Sequence, residues 1–270
     1  MTAAMKSRVI TALVLAAGML AIVLWLPPVA TVIVLTAGVL AGAWEWSAFL
    51  RASAKLVRIA YVAGIAALLA LAWRCTGDPA GRDLVLSLAL AWWVVAFGWI
   101  LFAPRRVARW SAALAGVFAL VPAWLALMRL RLDMPNGAQW MLFVLILVWV
   151  ADMGAFFFGG RYGRLRLAPA VSPGKTWEGV LGGALLAAVV AVCGSVWFRI
   201  PLAFFLPLCL TGVAFSIVGD LTESLLKRFA GIKDSGHVFP GHGGVMDRID
   251  SVTGAAPVLL FGLTAFGVAA

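Results

Sequence analysis

The chain has 270 residues, of which 64% are hydrophobic and only 12% are charged. Soluble domains carry about 25% charged residues, so the composition excludes an ordinary soluble globular protein. Apolar runs of nearly 20 residues recur along the whole chain, and each is long enough to cross roughly 30 Å of hydrocarbon as a helix. The runs lack the two-residue alternation of barrel strands. The sequence therefore predicts an all-α, polytopic integral membrane protein.

Nine candidate spans divide the chain into two regions. The first five spans form an N-terminal transmembrane region, residues 1–130, and the last four belong to a second region, residues 131–270. The second region carries the two longest polar loops, at 159–177 and 220–251, and long loops beside a rigid scaffold are where function usually resides. In chain order the spans lie at about 9–27, 29–50, 57–73, 84–103, 110–128, 139–158, 178–198, 201–219 and 252–270.

The basic residues predict the orientation of these spans. The formal net charge is +10, and with nine spans 16 of the 21 Lys and Arg residues fall on the side of the N-terminus. Lysine and arginine collect in the cytoplasmic loops of membrane proteins, which accounts for the charge without a nucleic-acid partner. We therefore expect a cytoplasmic N-terminus, a C-terminus on the opposite side, and both long polar loops in the cytoplasm.

The acidic residues are concentrated in the second region. Seven of the eleven Asp and Glu residues lie between Asp152 and Asp250. Asp152 lies inside span six, Asp220 closes span eight, and Asp247 and Asp250 precede span nine, so the predicted topology places all four near one membrane face. Carboxylate oxygens are the ligands that Mg²⁺ or Mn²⁺ prefers, and such ions bind phosphates. The same segments contain Lys175, Lys227, Arg228, Lys233 and Arg248, together with Gly241, Gly243 and Gly244.

Several of these residues have a purely structural alternative. Asp220 and Glu223 have the spacing of a capping box, which predicts a new helix lying on the membrane surface after Asp220. In such a helix Glu223 and Lys227 pair at i, i+4, and Gly231 ends it. Aspartates at 247 and 250 are also explained by the positive end of helix nine, whereas no capping role explains Asp152.

Other polar residues are less specific. His237 and His242 are five residues apart, unlike the i, i+4 pair of a helical zinc site, so a zinc site is not expected. For His242 a general-base role, a phosphate contact and a loop hydrogen bond all stay open. Glu45, between two tryptophans, is interpreted as an interfacial position. Ser172 or Thr176 is alternatively a cap for span seven.

The polar segment before span nine resembles the signature of a known family. Residues 224–250 read "SLLKRFAGIKDSGHVFPGHGGVMDRID", which matches, without a polar departure, the pattern of the CDP-diacylglycerol synthases, also called phosphatidate cytidylyltransferases. The upstream segments "SPGKTWEGVLGG" and "ADMGAFFFGG" are similar to the family as well. The resemblance covers about residues 150–255, and the first 130 residues match only as generic membrane spans.

This resemblance implies a reaction and its partners. CTP and phosphatidic acid would give CDP-diacylglycerol and pyrophosphate, through attack of the lipid phosphate on the α-phosphorus of CTP. The family implies Mg²⁺ in a two-metal site with K⁺ as the second ion, a homodimer, and a location in the bacterial inner membrane. The active site would face the cytoplasm, where CTP is available.

Roles carry over by matched position. The resemblance assigns metal binding to Asp220, Asp247, Asp250 and, less directly, Asp152. It assigns phosphate contacts to Lys227, Arg228, Lys233 and Arg248, and loop shaping or nucleotide binding to Asp234 and His242. The expected substrate-binding set consists of Lys175, Thr176, Ser172, Gly243 and Gly244.

Two other functions are weighed against this one. A CDP-alcohol phosphatidyltransferase needs an Asp-Gly-x-x-Ala-Arg run, which the sequence does not contain. An ion-coupled transporter places its polar groups at mid-membrane on broken helices, whereas the polar groups here are predicted at one face.

Overall fold

The fold is known from a computed structural model that describes residues 3–52, 54–239 and 243–268. Most of this part of the chain is helical, and its nine α-helices follow the nine predicted spans in order. The helices are α1 Ala3–Trp25, α2 Pro28–Trp46, α3 Lys55–Cys75, α4 Pro79–Phe102, α5 Arg109–Asp133, α6 Gly137–Tyr162, α7 Trp177–Phe198, α8 Leu202–Ala230 and α9 Met246–Ala265.

Among the described residues, seven helices are long and apolar enough to cross a membrane. They are α2, extended by a 3₁₀ turn to Leu50, and α3 to α8. The apolar part of α1, Leu13–Trp25, is shorter, and the first turns of α9 carry three charged residues. The chain is thus an all-α polytopic membrane protein, as its composition predicts, while the count of nine spans and the sides of the termini stay predictions.

One short hairpin interrupts the helical pattern. Strands β1 Arg166–Ala168 and β2 Ser172–Thr176 pair antiparallel between α6 and α7. The segment "SPGKT", which contains the alternative cap residues Ser172 and Thr176, is the second of these strands. The predicted loop 159–177 therefore contains the end of α6 at Tyr162, the hairpin and the first residue of α7, Trp177.

Local sequence signals set several helix ends. Asp78 caps α4, where its carboxylate accepts a hydrogen bond from the amide of Gly81 at 3.0 Å, and Pro79 follows at the first helical position. Thr176 caps α7 in the same way, since its hydroxyl accepts from the amide of Gly179 at 3.2 Å. Glycine at 231 ends α8 with φ +74°, in the left-handed region that favours glycine.

The structural alternative of a separate surface helix that starts at Asp220 is wrong. Helix α8 continues through Asp220 to Ala230 without interruption, so no capping box starts a separate surface helix there. The turns from 221 to 230 stay in the helix because Leu221, Leu225 and Leu226 are buried in the core. The polar loop between α8 and α9 accordingly shrinks from 220–251 to residues 231–245, and this segment is called the signature loop below.

Helix α9 lies at the centre of the bundle. It packs most extensively against α8 and α5, and also contacts α4, α6 and α2. Its residues from Asp250 to Leu260 are all buried, so it joins the N-terminal helices to the C-terminal ones. Helices α6 and α7 form the other extensive pair, and they approach closely through glycines on both helices.

Candidate functional site

The best-defined part of the polar region is a lysine held between two carboxylates. Lys227 Nζ lies 2.6 Å from Glu223 Oε2, one helical turn away, and 2.7 Å from Asp247 Oδ1 on α9. The Glu223 side chain is 1% exposed and that of Asp247 is 8% exposed. The i, i+4 pair of Glu223 and Lys227 expected from the sequence is therefore present. Asp247, an aspartate of the signature, binds the same lysine from α9.

The second oxygen of Asp247 is enclosed by donors from the signature loop. Asp247 Oδ2 accepts hydrogen bonds from the amide of Gly244 at 2.8 Å and from the amide of Ser235 at 2.9 Å, and it lies 2.9 Å from the Ser235 hydroxyl. Gly243, with φ +77°, leaves room for this carboxylate, because a Cβ atom there would collide with Asp247 Oδ2. One amide of the glycine run, that of Gly244, thus binds a protein carboxylate in this structure.

Glu45 of α2 reaches the same loop. Its carboxylate is buried, and accepts hydrogen bonds from the amides of Val245 at 3.0 Å and Met246 at 2.8 Å. Glu45 is thus buried and bonded to partners 200 residues away along the chain, contacts that the interpretation as an interfacial residue does not predict. The one signal in the sequence is a lone acid in an otherwise apolar span, and that signal does not identify the partner. Ser235, inside the signature, was missed as well.

A second ion pair joins the hairpin to α8. Lys175 Nζ on β2 lies 2.5 Å from Asp220 Oδ2, and Ser224 Oγ donates to Asp220 Oδ1 at 3.3 Å. About a quarter of each ion-paired side chain is exposed. The structure thus brings together one residue predicted to bind substrate and one predicted to bind metal, from a strand and a helix, although the two residues are 45 positions apart in sequence.

Three predicted acidic residues interact around this pair. The buried carboxylate of Asp250 lies near enough to Asp220 and Asp152 to interact with them electrostatically. Asp152 in turn interacts with Lys175 and Arg248. Three of the four predicted metal ligands, Asp152, Asp220 and Asp250, are therefore neighbours. The fourth, Asp247, lies instead among hydrogen-bond donors.

The negative charge of these carboxylates favours a bound cation, but the described side chains do not form a complete set of metal ligands. Within the described ranges, no three His, Cys, Asp or Glu side chains are placed to hold a metal ion. Asp247 is the least suited, because both of its oxygens already accept hydrogen bonds. Like-charged carboxylates at Asp152, Asp220 and Asp250 do favour a bound cation, because a cation between them would offset their mutual repulsion.

The remaining predicted residues are spread around the site. Arg228, Lys233, Asp234 and Arg248 are exposed to solvent, and Gly244 is buried beneath the loop. Thr176 is 4% exposed and caps α7, which confirms its structural alternative, and Ser172 begins β2 opposite Ala168. His242 lies outside the described residues. The amide of Phe239 donates a backbone hydrogen bond of 3.0 Å to the carbonyl oxygen of Gly243.

Comparisons with known proteins identify the family of this chain. A family model described as the cytidylyltransferase family matches residues 6–266. The phosphatidate cytidylyltransferase of Pseudomonas aeruginosa is 41% identical over 271 residues, which cover 97% of this chain and 98% of that protein. The enzyme of the same name from Haemophilus influenzae is 38% identical over 278 residues, covering 94% and 96%. One from Staphylococcus saprophyticus is 33% identical over 180 residues, covering 66% and 69%.

Proposed function

This chain belongs to the cytidylyltransferase family, and we propose that it transfers the cytidylyl group of CTP to phosphatidic acid. The products are CDP-diacylglycerol and pyrophosphate. The resemblance drawn from residues 224–250 is confirmed by the match over nearly the whole chain. An ion-coupled transporter and a CDP-alcohol phosphatidyltransferase are both set aside by the same match.

The observation that carries the proposal is the joining of Lys175 to Asp220 beside Asp152, Asp250 and Arg248. A site of mixed charge on membrane helices suits two anionic substrates, one dissolved in water and one anchored in lipid. Arg248 interacts with Asp152, and its side chain is exposed, as are those of Arg228 and Lys233. In this proposal the three basic groups neutralise phosphates as the two substrates approach each other.

The reaction depends more on the positioning of the substrates than on proton transfer. A phosphate oxygen of the lipid forms a bond to the α-phosphorus, and the bond from that phosphorus to the oxygen bridging the β-phosphate breaks. The nucleophile is already anionic, so charge neutralisation and alignment supply most of the rate. Lys175, partly exposed beside Asp220, is the residue we assign to the phosphates of the substrate.

Mg²⁺ belongs to this proposal as an expected cofactor, with K⁺ as the second ion. Asp152, Asp220 and Asp250 are the residues that would hold the metal, because their charges gather at one place. A bound divalent ion would supply further neutralisation of the phosphate oxygens. Lys175 and Arg248 orient the anions at the same place.

The test is a transfer assay on the purified chain in detergent, with phosphatidic acid and CTP labelled at its α-phosphate. Label should enter the organic phase as CDP-diacylglycerol while unlabelled pyrophosphate is released. Lys175→Met should abolish most of the transfer while the protein stays folded. No organic-phase label from folded protein, in any divalent metal, would overturn the proposed reaction.

A further inference from the structure

We propose that Glu45 is a positioning residue that fixes the signature loop to the N-terminal helices and so sets the geometry of Asp247 and Lys227. For its effect on turnover this inference rests on the proposed function. The N-terminal region shows no sign of the family signature, yet this one acid of α2 contacts the signature directly. The inference starts from the bonds that its carboxylate makes.

Both oxygens of Glu45 are used, and the donors come from the two ends of the signature loop. Oε1 accepts from the amide of Val245 and Oε2 from that of Met246, at 3.0 and 2.8 Å. The Ser235 hydroxyl lies 3.0 Å from Oε2. The first amides of a helix have no partner within the helix, and a carboxylate there is favoured by the helix dipole. Glu45 therefore acts as an N-terminal cap of α9 supplied from another helix.

Two glycines of the signature loop are shaped around this carboxylate. A Cβ atom on Gly236 or on Gly244 would collide with the carboxylate oxygens of Glu45. Neither glycine has a positive φ, so backbone freedom does not explain them. Close approach to Glu45 does, and it is an observation independent of the hydrogen bonds.

The contact continues from Glu45 to the ion pair. The Ser235 hydroxyl lies 3.0 Å from Glu45 and 2.9 Å from Asp247, and the Ser235 amide donates to Asp247. Asp247 in turn binds Lys227 at 2.7 Å. A hydroxyl has one proton and donates to one carboxylate at a time, so Ser235 couples the two acids. Removing the charge of Glu45 should loosen Ser235 and the first turn of α9 together.

The experiment measures hydrogen exchange and turnover on the full chain in detergent. Glu45→Ala, Glu45→Gln and the control Asp133→Asn are compared. Asp133 is an acid at the end of α5 that pairs locally with Arg129 at 3.1 Å. Exchange in peptides spanning 243–250 should rise at least about tenfold in Glu45→Ala, because hydrogen bonds to a charged acceptor are lost.

The kinetics separate positioning from loss of fold. In Glu45→Ala, kcat should fall at least about tenfold, with exchange in α6 and α7 unchanged. Glu45→Gln keeps one carbonyl acceptor, so its exchange at 243–250 and its kcat should both lie closer to wild type. Asp133→Asn should change neither the exchange nor kcat. Unchanged exchange at 243–250 in folded Glu45→Ala overturns the inference, as does raised exchange with full kcat.

If Glu45→Ala does not fold, a second variant tests the same contact. Ser235→Ala removes only the hydroxyl between the two acids, and should raise exchange at 243–250 and lower kcat in the same direction. Full activity and native exchange in Ser235→Ala would then overturn the coupling. If the wild-type chain shows no transfer at all, the proposed function fails, while the exchange data still decide whether Glu45 holds the loop.

Discussion

Lys227 Nζ lies 2.7 Å from Asp247 Oδ1 and joins the last turns of α8 to the first turn of α9. The same ammonium binds Glu223 at 2.6 Å, and the lysine side chain is only 14% exposed. Two carboxylates already balance this cation, so its first role is to hold the two helices of the site together. Lys175, one-quarter exposed, is better placed to meet a phosphate.

Lys227→Met should unfold the protein at a lower temperature and abolish transfer. The substitution leaves two buried carboxylates unpaired, and breaking a buried pair costs about 3–5 kcal/mol. Thermal unfolding in detergent measures the loss. Glu223→Gln combined with Lys227→Met should restore part of the stability, because one of the stranded charges is removed. Equal stability of wild type and Lys227→Met would contradict the bridging role.

Lys175→Met should also lower transfer, but without lowering stability. The pair with Asp220 is partly exposed, and exposed ion pairs contribute about 0–1 kcal/mol, so the melting temperature should hardly change. Transfer should nevertheless fall by more than about tenfold, since a basic group assigned to the substrate phosphates is lost. The swap Lys175→Asp with Asp220→Lys is the control. Restored activity in the swap would mean that the pair serves only the fold.

Chelation of divalent metal should stop transfer, and two aspartate variants should differ in how Mg²⁺ rescues it. Asp250→Asn should raise the Mg²⁺ concentration for half-maximal activity at least about tenfold, as loss of a metal-site group does. Asp247→Asn should lower activity at every Mg²⁺ concentration, because it breaks the bond to Lys227. A shifted Mg²⁺ requirement in Asp247→Asn with none in Asp250→Asn would reverse the assignment.

Gly154→Ala should destabilise the α6–α7 pair. A Cβ atom at Gly154 would lie 2.8 Å from the carbonyl oxygen of Gly182 and 3.0 Å from Gly183 Cα, so the helices must separate, at about 1–3 kcal/mol. Gly160→Ala on the same helix is the matched control, since its Cβ would have no neighbour within 4 Å. Thermal unfolding should show a lower midpoint for the first variant only. A drop of equal size in both would contradict the packing explanation, because alanine favours a helix more than glycine does and should by itself stabilise Gly160→Ala.

The sequence by itself determined the class of protein and the segment that carries its chemistry. Apolar runs specify membrane helices because the polar groups of a backbone inside lipid must form their hydrogen bonds within the same helix. Each run can be seen in a sequence window of about 20 residues. The signature from Ser224 to Asp250 was equally local. Thr176 as a helix cap, Gly231 as a helix end and Glu223 with Lys227 as a pair are all relationships within four residues.

Only the tertiary structure decided how these parts are held together. The sequence could not show that α8 continues past Asp220, since burial of Leu221, Leu225 and Leu226 against other helices outweighs the local capping signal. Nor could it show that Glu45 binds amides 200 residues away, or that Asp247 is enclosed by Ser235 and Gly244. Contacts of this kind depend on which buried faces meet, and that is set by packing of the whole bundle rather than by any periodicity along the chain.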